Sequence, residues 1–223
     1  ELLVHSAEWT QAMRAHYDAA GSQTQKGAML RRYGWGVPNL DRALRSAAND
    51  ATLVIEDALL PFRRDGSAIK TRDMNLHRLP WPRDELLALG DMDVELRITL
   101  SYFIEPNPGD RGWTRRHRYA SHALRFAVKR SLETLPRFRQ RINKVAAAEE
   151  SDEGGSTAGG DAWVLGPIRD RGSIHSDIWL GSAAALTERD AIGVFPISGW
   201  WKEKPGLRRW DRSVRYALLV TIR

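Results

Sequence analysis

Apolar and polar positions change rhythm once along this chain, near residue 50. Before that point Leu2, Leu3, Ala7, Trp9 and Met13 recur at roughly helical spacing and predict a helix over 1–15. Ala19-Ala20-Gly21-Ser22 breaks it, with Gly21 placed as a C-cap or turn, and the polar, basic run 23–32 reads as a loop. Glycines on both sides of Trp35 let the backbone turn sharply or approach another element closely. Pro38 suits an early helical position, and Leu40, Ala43, Leu44 and Ala47 form the apolar face of a short helix that Asn49-Asp50 ends.

After residue 50 a two-residue alternation dominates. The β-branched run 52–56 reads as a strand, 63–72 as a charged loop turning at Gly66, and Met74, Leu76 and Leu79 as renewed alternation. Pro82, the acids behind it and Gly90 bracket a short helix over 82–89. The clearest strand is 94–104. Val94, Leu96, Ile98, Leu100, Tyr102 and Ile104 point one way, and Glu95, Arg97, Thr99, Ser101, Phe103 and Glu105 the other. That alternation predicts one face on a core and one mainly wet. Further strands are expected over 122–129, 163–165, 173–180, 191–197 and 214–222, with helices over 136–148 and 183–188. Residues 149–161 are acidic and glycine-rich and read as a mobile loop. The expected fold class is mainly β with some α (α+β): a β-sandwich over 51–223, with a jelly roll as one topology open to it, preceded by the helices of 1–48.

Composition narrows the chemistry. With 42% apolar residues in 223 the chain has material for a packed core. No cysteine is present, which removes disulfides, cysteine-ligated zinc and a thiol nucleophile, and fits a reducing compartment, with a cytoplasmic location slightly favoured. No apolar run approaches the ~18 residues of a membrane-spanning helix. The net charge of +6 is spread among interspersed acids and forms no block, so nucleic acid is not the expected partner. The chain opens at Glu1 directly on an amphipathic pattern, as expected of a fragment.

Certain stretches resemble a known family. Leu2-Leu3-Val4-His5-Ser6-Ala7, then Tyr33-Gly34-Trp35-Gly36-Val37-Pro38-Asn39-Leu40 and the helix behind it, resemble the closing part of a subtilisin-like serine protease domain. Leu79-Pro80-Trp81-Pro82, the run Thr99 to Pro106, Gly172 to Trp179 and Gly199-Trp200-Trp201-Lys202 are similar to the C-terminal region of a bacterial group of large subtilases, the S8 peptidases. The resemblance implies a parent that hydrolyses peptide bonds with an Asp/His/Ser triad, ordered in that sequence and lying upstream of Glu1. The Gly-Thr-Ser nucleophile motif is absent here. The resemblance therefore implies that 1–48 complete the catalytic domain, that 51–223 form an appended β domain, and that the partners are the parent's own catalytic domain and its protein or peptide substrate. It carries over no catalytic, cofactor-binding or metal-binding residue. The alternative is a stand-alone binding module for protein, nucleic acid or glycan.

Four local constellations bear on these readings. His5 and Ser6 are neighbours on a helix, where their side chains diverge, so they do not form a nucleophile–base pair. His175 and Asp177 share one face of a strand. They either pair to support a sheet edge or contribute to a metal site, which needs three or four converging ligands. The run Trp113-Thr114-Arg115-Arg116-His117-Arg118-Tyr119 either grips phosphate and stacks bases, contacts an acidic partner, or lays arginine stems over rings. Trp200-Trp201 before Lys202 is either a flat platform for sugar or buried interface packing.

Overall fold

A computed structural model describes residues 1–48, 52–72, 74–108, 120–150 and 162–223. Four helices come first: α1 (Leu2–Ser6), α2 (Gln11–Asp18), α3 (Gln23–Tyr33) and α4 (Leu40–Ala48). Then follow β1 (Thr52–Leu59), β2 (Phe62–Asp65), β3 (Ala68–Thr71), β4 (Asn75–Arg78), α5 (Arg83–Leu89), β5 (Asp93–Tyr102) and β6 (Ala123–Val128). The remainder is α6 (Leu135–Glu150), a 3-10 turn (Gly166–Arg169), β7 (Ile174–Ser182), α7 (Ala183–Thr187), β8 (Ala191–Ile197), α8 (Trp200–Glu203), a second 3-10 turn (Pro205–Leu207) and β9 (Val214–Ile222). Helix and strand take nearly equal shares, 35% and 33%, so the fold is mixed rather than mainly β.

The strands form antiparallel sheets, none of them closed. One has the order β1-β9-β5-β7 and another the order β4-β8-β6, while β2 and β3 form a hairpin. Leu96, Ile98 and Leu100 of β5 and Leu218 and Val220 of β9 share one hydrophobic cluster with Leu124 and Phe126 of β6 and Ile192 and Val194 of β8. All nine are essentially without solvent contact, and burial of each such side chain is worth roughly 1.5–3 kcal/mol before entropy. Behind the second sheet, Phe138 and Ile142 of α6 pack on Ala127, Ala191, Phe195 and Ile197. Gly193 permits that contact, since a Cβ there would lie 2.5 Å from Ile142 Cδ1.

Several expectations need correction. The single helix over 1–15 is two helices. Ala7–Thr10 is non-helical because Glu8 pairs with Val37 in a two-bond bridge, and Thr10 restarts the helix by accepting from the Met13 amide. The run 23–32 is helix α3, not loop. Its Gln, Lys, Ala, Met, Leu and Arg are good helix formers, and Ser22 caps it by accepting from Gln25 N. Polarity marked it as exposed, not as irregular. The charged loop 63–72 turns at Gly66 as expected (φ 62°), but its arms are β2 and β3. The outward face of β5 is not wet: Arg97 and Thr99 are buried beneath α1. The expected acidic mobile loop over 149–161 falls, beyond the end of α6 at Glu150, outside the described residues.

Candidate functional site

α1 is seated on the outer face of the four-stranded sheet by one buried imidazole. His5 Nδ1 lies 2.9 Å from Thr99 Oγ1 of β5, and its Nε2 2.8 Å from Thr221 Oγ1 of β9. Thr99 Oγ1 continues to Ser176 Oγ of β7 at 2.8 Å, and Thr221 Oγ1 to Thr52 Oγ1 of β1 at 2.9 Å. Each of the four strands thus contributes one hydroxyl, and His5 joins the middle pair. A neutral imidazole donates from one nitrogen and accepts at the other, so the chain of hydrogen bonds runs in a single direction. Burial, reinforced by the Arg97 and Arg223 charges and the N-terminal ammonium, pushes the His5 pKa down to about 3 and keeps the ring neutral.

Arg97 anchors the end of the same helix. Its Nη1 donates to Ala7 O at 2.6 Å and His5 O at 3.2 Å, carbonyls with no partner further along the helix. Its other side faces Glu95 Oε1 at 3.4 Å and Glu8 Oε1 at 3.5 Å. Glu8 also pairs with Arg42 and with Arg223. Burial pushes the Glu8 carboxyl up, but the Arg42 hydrogen bond and charge, then Arg97 and Arg223, bring it below its ordinary range.

Between this anchor and the helices lies a cavity of ≈ 240 Å³. Its helix side presents Trp9, Tyr17 and Trp35, and its sheet side Arg97, Ile178 and Leu180. Gly36 makes the helix side possible. It has φ 99°, and a Cβ on it would stand 2.3 Å from Glu8 O, so only glycine allows the Glu8–Val37 bridge to close. That bridge sets Trp35 near Trp9, whose indole donates to Gly34 O at 2.9 Å. Tyr17 is fixed across the gap, its hydroxyl donating to Val164 O at 3.2 Å and its ring 4.9 Å from that of Trp9.

The residues singled out from sequence disperse. Ser6 Oγ donates to Leu3 O and accepts from Asn39 N, on the far side from His5's partners. His175 and Asp177 do not meet. His175 Nε2 lies 3.0 Å from Gly172 O and its ring sits edge-on to Tyr102. Burial first, then the Arg125 charge, lowers its pKa to about 3. Asp177 instead accepts from the amides of Leu165, Gly166 and Ile178 and from Arg169 Nη1 at 2.9 Å, which organises the turn Gly166–Arg169. Trp200 and Trp201 are buried and present no open platform, with Trp201 Nε1 donating to Glu105 Oε2 at 3.1 Å. The run 113–119 lies outside the described residues.

Two clusters carried no sequence signal. Ser121 Oγ lies 3.0 Å from His122 Nδ1, but both residues are buried, and burial lowers the His122 pKa to about 4. Tyr216 OH is shared by His77 Nε2 at 2.6 Å, Asn75 Nδ2 at 3.0 Å and Asp57 Oδ2 at 3.3 Å, which ties β4 to β9 and β1. In neither does a serine meet a histidine that a carboxylate orients, the arrangement nucleophilic catalysis needs. Among the described residues no three His, Asp or Glu gather as metal ligands, and no helix is long and apolar enough to cross a membrane. No family model matches the chain, and no curated protein or solved structure is significantly similar to it.

Proposed function

We propose that this chain is the non-catalytic C-terminal part of a subtilisin-like serine endopeptidase and that it holds the catalytic part in a fixed relation to a β-rich extension. In this reading the two larger sheets are the layers of a β-sandwich, residues 1–48 complete the catalytic domain, and the Asp, His and Ser lie outside these 223 residues. The resemblance of 2–7 and 33–40 to the end of a subtilase domain supports it.

One structural observation carries it further. The first helices have two faces. Inward, His5 and Ala7 are bonded to the sheet. Outward, α1 and α4, which pack on each other, leave Leu2, Leu3, Leu40 and Leu44 exposed, with Val37 beside them, at 37% to 68% of full accessibility. Among the described residues, five of the 14 exposed large apolar side chains fall in these first 44 positions. Clustered exposed apolar side chains mark an interaction surface. A surface that completes a protease core on one side and is bonded to the sheet on the other makes the β region a rigid extension rather than a tethered one.

The test is co-expression of this chain with the upstream polypeptide encoded beside it. Stable co-purification that Leu40→Asp with Leu44→Asp abolishes, in a variant that still folds, supports the reading. An active-site fluorophosphonate should label the upstream part and leave the isolated chain unlabelled. Stoichiometric labelling of the isolated chain sinks the proposal.

A further inference from the structure

We propose that the ≈ 240 Å³ cavity between α1–α2 and the sheet is a binding site for one uncharged aromatic ring, presented as a peptide side chain. The inference stands independently of the protease reading.

Size sets the class. An apolar cavity of about 150 Å³ holds benzene, whereas drug-sized ligands need roughly 300–1,000 Å³. A volume of ≈ 240 Å³ therefore suits one ring with a short stem. Charge sets the polarity. The charged groups on the inner wall are already matched: Glu8 to Arg42, Arg97 and Arg223, Glu95 to Arg97, and Asp177 to Arg169. A charged ligand would lose its hydration against these matched pairs, while the other two charged side chains of the lining, Arg14 and Asp18, are solvent-exposed and offer only a screened attraction, so burying a charge here is a net cost. A neutral ring loses little and meets the faces and edges of Trp9 and Trp35, where offset or edge-on aromatic contact adds to simple burial.

The mouth argues for a peptide rather than an isolated small molecule. Val164 and Leu180 stand exposed beside the opening and give further apolar surface to the backbone and neighbouring side chains that flank an inserted ring. The walls are also preformed. The Trp9–Gly34 and Tyr17–Val164 bonds hold two of the aromatic side chains, and the Glu8–Val37 bridge holds the backbone that carries Trp35, before any ligand arrives, which lowers the ordering cost of binding.

The test is a titration of the isotope-labelled chain followed through its indole N–H signals. N-acetyl-phenylalaninamide is expected to shift the Trp9 and Trp35 signals saturably, with a Kd on the order of 1 mM, the range for a ligand of some fifteen heavy atoms. N-acetyl-lysinamide should bind at least ~10-fold more weakly. p-Cresol separates the sources: weaker binding than the blocked amide assigns the site to a peptide, and equal binding assigns it to the free ring. Leu180→Arg changes an exposed residue, so the fold survives, and should weaken the amide by ~10-fold or more. No saturable shift at these indoles, equal affinity for the lysine derivative, or an unaltered Kd in Leu180→Arg overturns the proposal.

Discussion

Each of the larger sheets wears a helix on its outer face, and the two helices hold on by different physics. α6 covers the β4-β8-β6 sheet with Phe138 and Ile142 against Ala127, Phe195 and Ile197, a contact without direction. α1 covers the β1-β9-β5-β7 sheet with one imidazole, hydroxyls and a guanidinium, and each bond has a donor, an acceptor and a length. Dispersion and water exclusion tolerate small shifts, so α6 can re-seat after a minor change. A buried polar network is satisfied in one arrangement, and elsewhere it leaves desolvated groups without partners. The apolar cap adds stability, while the polar cap fixes where the first helix stands.

Acid separates the two caps most widely. His5, His122 and His175 have folded-state pKa values pushed by burial to about 3, 4 and 3, below the ordinary 6.5. Between those values and 6.5 the unfolded chain binds more protons than the folded one. Stability should therefore hold above pH 6.5 and fall as the pH drops towards 4, by roughly 1.4 kcal/mol per pH unit for each imidazole. Urea midpoints at half-unit pH steps check this, and His5→Gln should flatten the slope by about a third. A pH-independent midpoint would mean that these rings are not held neutral.

Truncation of the apolar cap comes next. Phe138→Ala leaves a void under α6 and should cost about 3–5 kcal/mol in denaturant unfolding, with no change in the acid slope. His5→Ala at neutral pH should cost less, about 1–3 kcal/mol, because the Thr99 and Thr221 hydroxyls keep their Ser176 and Thr52 partners. If His5→Ala proves costlier than Phe138→Ala, the ranking of the two caps reverses. Leu44→Ser, on the exposed face of α4, should change stability by less than about 0.5 kcal/mol and report only on association with an upstream partner.

The strands were legible where one face is apolar throughout. β8 and β9 occupy 191–197 and 214–222 as expected, and α5 stops at Gly90, whose φ of 56° suits glycine. β5 was legible as a strand but misjudged on one face. Glu95, Arg97, Thr99 and Ser101 look like a wet surface, and nothing local says that a helix supplies carbonyls and an imidazole to two of them. His5 was equally opaque, because its partners lie 94 and 216 residues away. Of the cavity, Trp35 between two glycines was visible as a place where the backbone turns sharply or approaches another element closely. The opposing wall, Ile178 and Leu180, is set by tertiary placement alone.

The place of β9 has a consequence for how the chain is made. β9, the last strand among the described residues, lies inside its sheet, between β1 and β5, and supplies the hydroxyl that completes the bonding of α1. A nascent chain emerging N-terminus first can assemble the hairpin of β2 and β3 early, but β1 has no neighbour and α1 only part of its seat until residues 214–222 arrive. Pairings of such long sequence separation form slowly and leave strand edges open meanwhile. Segments some 216 residues apart, His5 and Thr221, are thus read against each other. A product stopped short of Val214 would lack one of the two inner strands of its largest sheet and the Thr221 half of the His5 seat, and quality control acting on exposed edges would meet it as unfinished.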